Sequence, residues 1–140
     1  MFANSHFALA THVVTALAVR SDCPITSSEL ARSVNTNPAF LRTLLGQLRR
    51  AGLIEVALGK GGGARLARPA SKMTLADVYR AVELRPVAQF HRCAPSPSCV
   101  VGRNILPVLE GVVQEVESAA LDRLGRTTVA ELASRVLRRG

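Results

Sequence analysis

Tryptophan is absent from the chain, tyrosine occurs once and phenylalanine four times. Proteins that grip single-stranded nucleic acid stack its bases on aromatic rings, so that mode is poorly supplied here. Three cysteines, an odd number, do not make the disulfide framework of a small secreted domain. Long apolar runs are missing as well. The N-terminal stretch HFALATHVVTALAVR is interrupted by two histidines and is too short and too polar to span a bilayer. Its TALAV segment resembles a cleavage site, but no Lys or Arg precedes it, as a signal peptide would require. A cytoplasmic chain without a membrane partner is expected.

At 140 residues, 48% of them apolar and 20% charged, the chain suits one globular domain with a real core plus an appendage. The formal net charge is +8. Residues 1–70 hold eight Lys or Arg against three Asp or Glu, and residues 71–140 hold ten against seven. Such an excess suits a surface that displaces counterions from phosphate. It also suits an ordinary solvated surface, so charge alone does not decide the matter.

The stretch from Asn37 to Arg68, NPAFLRTLLGQLRRAGLIEVALGKGGGARLAR, carries the strongest pattern. Asn37 is an N-cap and Pro38 fits the first helical position, where no N–H is needed. Leu41, Leu44, Leu45 and Leu48 form one apolar stripe, with Arg42, Thr43, Gln47, Arg49 and Arg50 on the other face. Gly52 is placed to end the helix in a left-handed cap. Two short runs, LIEVAL and ARLA, flank GKGGG and predict a hairpin with a glycine tip. Just upstream, Thr26 to Glu29 is a capping box with Ile25 and Leu30 as its hydrophobic staple, opening the helix SSELARSV. Two helices joined by so tight a turn, with a basic hairpin behind them, predict a winged helix-turn-helix. The fold class is mainly α with a small β-hairpin.

In that geometry the second helix enters the major groove. Arg42 offers a fork to guanine, Gln47 can pair with adenine, and the Thr43 methyl can touch thymine. Asn37, Ser27 and Ser28 stand at helix starts, where side chains and N–H groups grip phosphate, and Ala39 joins them as an interface position. Arg49 and Arg50, at the far end, are expected on phosphate or in solvent. Lys60 and Arg65 are placed to reach phosphates or a minor groove, with Gly61 letting the wing approach closely. GKGGG lacks the spacing and the strand–loop–helix context of a nucleotide-binding Walker motif. For a basic amphipathic helix alone, a plain surface helix would be the better reading; the capped predecessor and the hairpin reverse that preference.

Around this unit, residues 4 to 20 predict a helix that is apolar nearly all round. Its stripes are Phe7, Ala10, Val14, Leu17 and Leu9, Val13, Ala16, so it must be covered on two sides, one of them by a partner subunit. TLADVYRAVEL predicts a helix with Leu75, Val78 and Val82 facing inward. Residues 84–99 form a loop. Val100 to Leu124 predicts a long helix with Val101, Ile105, Val108, Leu109, Val112, Val116 and Ala120 as an apolar seam. Pro107 is expected to kink that helix or mark its true start. A last helix begins at Thr128, with Val129, Leu132, Ala133 and Val136 on one side. The organisation read here is a winged domain over residues 1–83, a loop over 84–99 to which the family resemblance given below assigns sensing, and a dimerisation helix with a C-terminal helix over 100–140. The seam at Ile105, Val108, Leu109, Val112 and Val116 calls for a symmetric partner. Two domains would then meet half-sites about 34 Å apart on a palindromic operator.

The run from Phe7 to Glu83 resembles the Rrf-two family of bacterial winged helix-turn-helix regulators. ITSSELARSVNTNPAFLRTLLGQLRRAGLIE and GKGGGARLARPASKMTLADVYRAVE carry the likeness. The resemblance implies a homodimeric transcription factor, usually a repressor, acting on double-stranded DNA. The family includes iron–sulfur and nitric-oxide sensors with three cysteines in the loop region. Cys93 and Cys99 match the first two, and Ile105 stands near the expected third, so the ligand set for a cluster is incomplete. His91 is the only local spare donor.

Three readings of the loop stay open: a redox pair with Arg92 beside the thiol, a zinc site of Cys93, Cys99 and His91 with an open position, or remnants of a lost cluster. Cys23 is expected to be a small buried residue, and His6 and His12 ordinary positions. The competing function is a protein-interaction scaffold that keeps the fold without DNA. An enzyme is not expected: no nucleophile stands with a base and an orienting group in one motif.

Overall fold

The computed structural model describes residues 4–83 and 85–140. Leu84, the first residue of the expected sensing loop, lies outside them. The chain runs α1 (His6–Val19), α2 (Ser27–Val34), α3 (Pro38–Arg50), β1 (Ile54–Ala57), β2 (Gly63–Leu66), α4 (Leu75–Val82), α5 (Val100–Leu124) and α6 (Val129–Leu137). A single 3-10 turn, Ala70–Lys72, links β2 to α4.

Local chemistry explains the helix starts. Thr26 Oγ1 accepts from the Glu29 N–H at 3.2 Å, and Glu29 Oε2 accepts from the Thr26 N–H at 2.9 Å, completing the capping box of α2. Asn37 Oδ1 accepts from the Ala39 N–H at 2.8 Å, and Pro38 follows as the first residue of α3. Thr74 and Asp77 repeat the capping box on α4. Asn35 ends α2 in the left-handed region (φ 54°), and Gly52 follows α3 at φ 73°. Three residues, Asn35 to Asn37, separate α2 from α3, the tight connection of a helix-turn-helix.

The core gathers the inner faces of every element except α5. Leu41, Leu44 and Leu48 of α3 are buried against Leu30 and Val34 of α2, Val13, Val14 and Leu17 of α1, and Met73, Val78 and Val82. In α4 the inward set is Ala76, Val78, Tyr79 and Val82. Leu75, expected inward, is only half-buried: it is the first residue of α4, at the edge of the packed face, and its N–H donates to the Thr127 carbonyl at 2.9 Å.

The second cover of α1 comes from the same chain. α6 folds back onto α1: Val129 is fully buried in the core, and its N–H donates to the Met73 carbonyl at 2.8 Å. No partner subunit is needed there, and the C-terminal helix packs with the winged unit rather than beside α5. Ala133 shares its buried side, whereas Val136 and Leu137 stay exposed. α5 runs without interruption through Pro107, for 25 residues, or about 37 Å at 1.5 Å per residue. It begins at Val100, not at the proline. None of its side chains is fully buried; Val101, Val108, Val112 and Val116 are 50% to 65% exposed.

Glu29 stays ionised to about pH 2, held first by the Thr26 N–H, then by Arg20 and the Thr26 hydroxyl. Its folded pKa lies below its ordinary value of 4.5, so its contribution is complete above that value and is lost as pH falls towards 2. Acid unfolding should therefore show a limb across that window that Glu29→Gln removes. Thr26→Ala should cost about 1 kcal/mol in urea unfolding at neutral pH.

Candidate nucleic-acid interface

α3 turns its leucines inward, so the opposite face is open. With about 3.6 residues per turn, the crest of that face is Ala39, Gly46 and Arg50. Arg42 and Arg49 flank it on one side, Thr43 and Gln47 on the other. All are exposed except Gly46 and Gln47, which are half-buried. The Thr43 hydroxyl donates to the Ala39 carbonyl at 3.3 Å, so its proton is engaged within the helix. Arg50, expected at the far end, instead folds its guanidinium back across the crest: a Cβ built on Gly46 would lie 3.4 Å from Arg50 Nη1. Sequence periodicity places Gly46 and Arg50 on this face, but only the fold shows them in contact.

Beside the start of α3 lies a shallow cleft lined by Ser27, Ser28, Pro38, Leu41 and Arg42. It joins both helix starts, so the Ser27, Ser28 and Arg42 positions read separately from the sequence converge. The wing is the antiparallel pair β1–β2, with Ile54 opposite Leu66 and Glu55 opposite Arg65. Lys60, Gly61 and Arg65 are exposed, and Leu58 at the tip is 95% exposed. The residue that sequence reasoning missed is Ile25. Its N–H donates to the Ala64 carbonyl at 2.9 Å and its carbonyl accepts from the Ala64 N–H at 2.8 Å. Gly63 makes this possible: a Cβ there would come within 2.6 Å of the Ile25 carbonyl oxygen.

Positive charge is gathered on this surface. Among the described residues the ion pairs are Arg20–Glu29, Arg68–Asp77 and Arg135–Glu131. Arg42, Arg49, Arg50, Lys60 and Arg65 make none. An exposed helix face and hairpin carrying five uncompensated cations suit a polyanion.

The loop before α5 holds His91, Cys93 and Cys99, all exposed, with both thiols free. Cys99 is the N-cap residue of α5 and its N–H donates to the Ser96 carbonyl at 3.4 Å. The loop doubles back onto α5, where a Cβ on Gly102 would strike the Ser96 carbonyl oxygen. Cys23 is half-buried rather than buried, with Arg20 Nη2 3.5 Å from its sulfur. His6 stacks obliquely on Phe40 at 5.0 Å, and His12 Nε2 lies 2.9 Å from Ser33 Oγ.

A sequence model of the Rrf2 (Rrf-two) family, described as iron-dependent transcriptional regulators, matches residues 3–135. YwnA of Bacillus subtilis, named as an HTH-type transcriptional regulator, is 30% identical over 130 residues, 92% of this chain and 95% of YwnA. The HTH-type transcriptional regulator IscR of Cereibacter sphaeroides is 37% identical over 81 residues, 57% of this chain and 52% of that protein. The oxidised form of CymR from Staphylococcus aureus is similar in structure, with a TM-score of 0.70 at 25% identity over 95% of this chain and 96% of CymR.

The iron in the family description can be tested against the donors present. Among the described residues no group of three or more His, Cys, Asp or Glu side chains is placed to hold a metal ion. Where a third loop cysteine would stand there is Ile105, half-buried and without a donor atom. The donors of one chain therefore do not fit a cluster, which takes four.

If the crest of α3 must lie close to a partner, Gly46→Ala should separate stability from binding. Exchanging a mid-helix glycine for alanine should stabilise the fold by up to about 1 kcal/mol. Duplex affinity, measured by fluorescence anisotropy, should fall as the added methyl displaces Arg50.

Proposed function

The chain belongs to the Rrf2 family of transcriptional regulators, and from that premise we propose that it is a homodimeric repressor reading a palindromic operator. It is a DNA-binding regulator and not an enzyme. Arg42, Thr43 and Gln47 are assigned to base edges, and Ser27, Ser28, Asn37 and Ala39 to the phosphates beside the cleft. Arg49 and Arg50 hold the far phosphates. Lys60, Gly61 and Arg65 brace the neighbouring groove from the wing. The observation that carries this reading is the gathering of five exposed cations, none of them in an ion pair, on the open face of α3 and the wing that follows it.

The dimer is assigned to α5. Val108, Leu109, Val112 and Val116 expose an apolar row along a helix that touches its own domain chiefly through α4. A second α5 covers that row, with Ile105 at its margin. Among the described residues no helix is long and apolar enough to cross a membrane, and a regulator of transcription is placed with the chromosome in the cytoplasm. Modulation is assigned to the loop: a two-electron oxidant would take two electrons and two protons from Cys93 and Cys99, closing a disulfide against the first turn of α5.

Arg42→Ala should lose roughly 1–3 kcal/mol at one operator position and relax base preference there. Lys60→Ala should weaken specific and random duplexes alike and lower the salt slope by about one. Wild-type binding that ignores salt, or is absent at low salt, would instead favour a protein-interaction scaffold. In sedimentation, Val112→Glu should yield monomers that retain their helical spectrum.

A further inference from the structure

On the side of α2 away from the cleft, α1 and α2 leave an open slot of about 460 Å3. That lies within the usual size range of small-molecule sites. Its floor is apolar: Ala16 and Val19 from α1, Ile25, Leu30 from α2, and Val136 from α6. A polar contact between the two helices closes each end. At one end His12 Nε2 and Ser33 Oγ are 2.9 Å apart; at the other, Arg20 Nη1 lies 3.1 Å from Glu29 Oε1. Eight residues of α1 separate His12 from Arg20, or about 12 Å of helix. The slot thus has the length of a short acyl chain, with the Arg20 guanidinium, paired to Glu29, at one end.

We infer that this slot binds a small amphiphilic monocarboxylate, with its apolar body on the Ala16–Leu30 floor and its carboxylate on Arg20, and that occupancy lowers affinity for duplex DNA. Arg20 is suited to the exchange. One of its nitrogens holds Glu29 Oε1, and the other is 3.5 Å from the Cys23 sulfur, a weak acceptor that a carboxylate oxygen would outcompete. Glu29 does not depend on Arg20 for its place. Its other oxygen, Oε2, accepts from both the Thr26 N–H and the Thr26 hydroxyl at 2.9 Å. A ligand can therefore take the guanidinium while the capping box of α2 stays closed.

The slot is also wired to the reading face. Ile25 lines it and at the same time holds Ala64 of the wing by two backbone hydrogen bonds. Leu30 lines it from α2, whose first turn carries Ser27 and Ser28. A body that wedges α1 from α2 shifts both. This second half of the inference rests on the DNA-binding reading; the binding site itself does not.

The test uses the full chain with octanoate as probe, and octylamine and 1-octanol as comparators, all below micelle-forming concentrations. Calorimetry and thermal melts should show saturable binding of octanoate and a higher melting temperature, with neither comparator matching it. Arg20→Gln should abolish the response. Val136→Trp, which fills the slot, should do the same while keeping a cooperative melt. In anisotropy, octanoate should weaken duplex binding by wild type about five-fold or more and leave Arg20→Gln unaffected. No octanoate binding, equal binding by Arg20→Gln, or equal binding of octylamine would overturn the site. Octanoate binding with unchanged duplex affinity would overturn the regulatory half. If wild type binds no duplex at all, the DNA reading fails and the calorimetric result still stands or falls alone.

Discussion

Two backbone hydrogen bonds between Ile25 and Ala64 determine how this molecule presents itself. A two-stranded hairpin is marginal in water and has no preferred orientation of its own. Here it is clamped at both ends. Ile25 pairs with β2 on one side, and immediately afterwards Thr26 caps α2. On the other side the Leu53 N–H donates to Leu48 O at the end of α3, and the Leu53 carbonyl accepts from the Ala67 N–H. The wing is thereby tied to the start of one helix of the helix-turn-helix and to the end of the other. Gly63 is the necessary concession, since any Cβ at that point would strike the Ile25 carbonyl.

Much of this was legible in the residues, because helix starts and inner faces are written locally. Thr26 and Glu29, Asn37 and Pro38, and Thr74 and Asp77 each announce a helix within four positions. The leucines of α3 announce which side is buried. What could not be read is contact between distant segments. ARLA reads as a strand, yet nothing in it names Ile25 as the neighbour, for a single paired residue leaves no alternation to detect. The return of α6 onto α1 is equally silent. Val129 and Ala133 look the same whether they face a partner or the chain's own first helix. Pro107 misled in the other direction: a proline in the third turn of a long exposed helix gives up one hydrogen bond to Arg103 O without ending it. The candidate site was legible as a set of positions, while the cleft joining Ser27, Ser28 and Arg42, and the fold of Arg50 over Gly46, required coordinates.

The return of α6 changes what α5 is for. With α6 packed on α1 from the same chain, apart from the slot beside α2, the longest run of uncovered apolar side chains lies along α5. Exposed valines spaced along more than four turns of helix are costly as bare surface and inexpensive once matched by a copy of themselves. Tyr79 marks a place where α5 meets the body. Its hydroxyl is pushed up in pKa first by burial, then by Glu83 and Glu117, so a residue of α5 is close enough to α4 to be felt. The long helix is thus hinged to the winged unit at α4 and free along most of its length.

The places where this chain departs from good local practice coincide with the surfaces assigned to partners. A glycine in the middle of α3 forfeits up to about 1 kcal/mol relative to alanine, with nothing buried to justify it, yet it stands at the crest of the exposed face. A leucine at the wing tip is 95% exposed, and five exposed cations without ion pairs are gathered on α3 and the wing. The α5 seam is bare. The α1–α2 slot is a different kind of departure, an apolar floor left open although Val136 is within reach to close it. An isolated folded domain gains from repairing each of these. A protein whose partners supply the missing methyl groups, phosphates or carboxylate gains more by leaving them, since an interaction completed only in the complex adds to affinity without adding to the stability of the free chain.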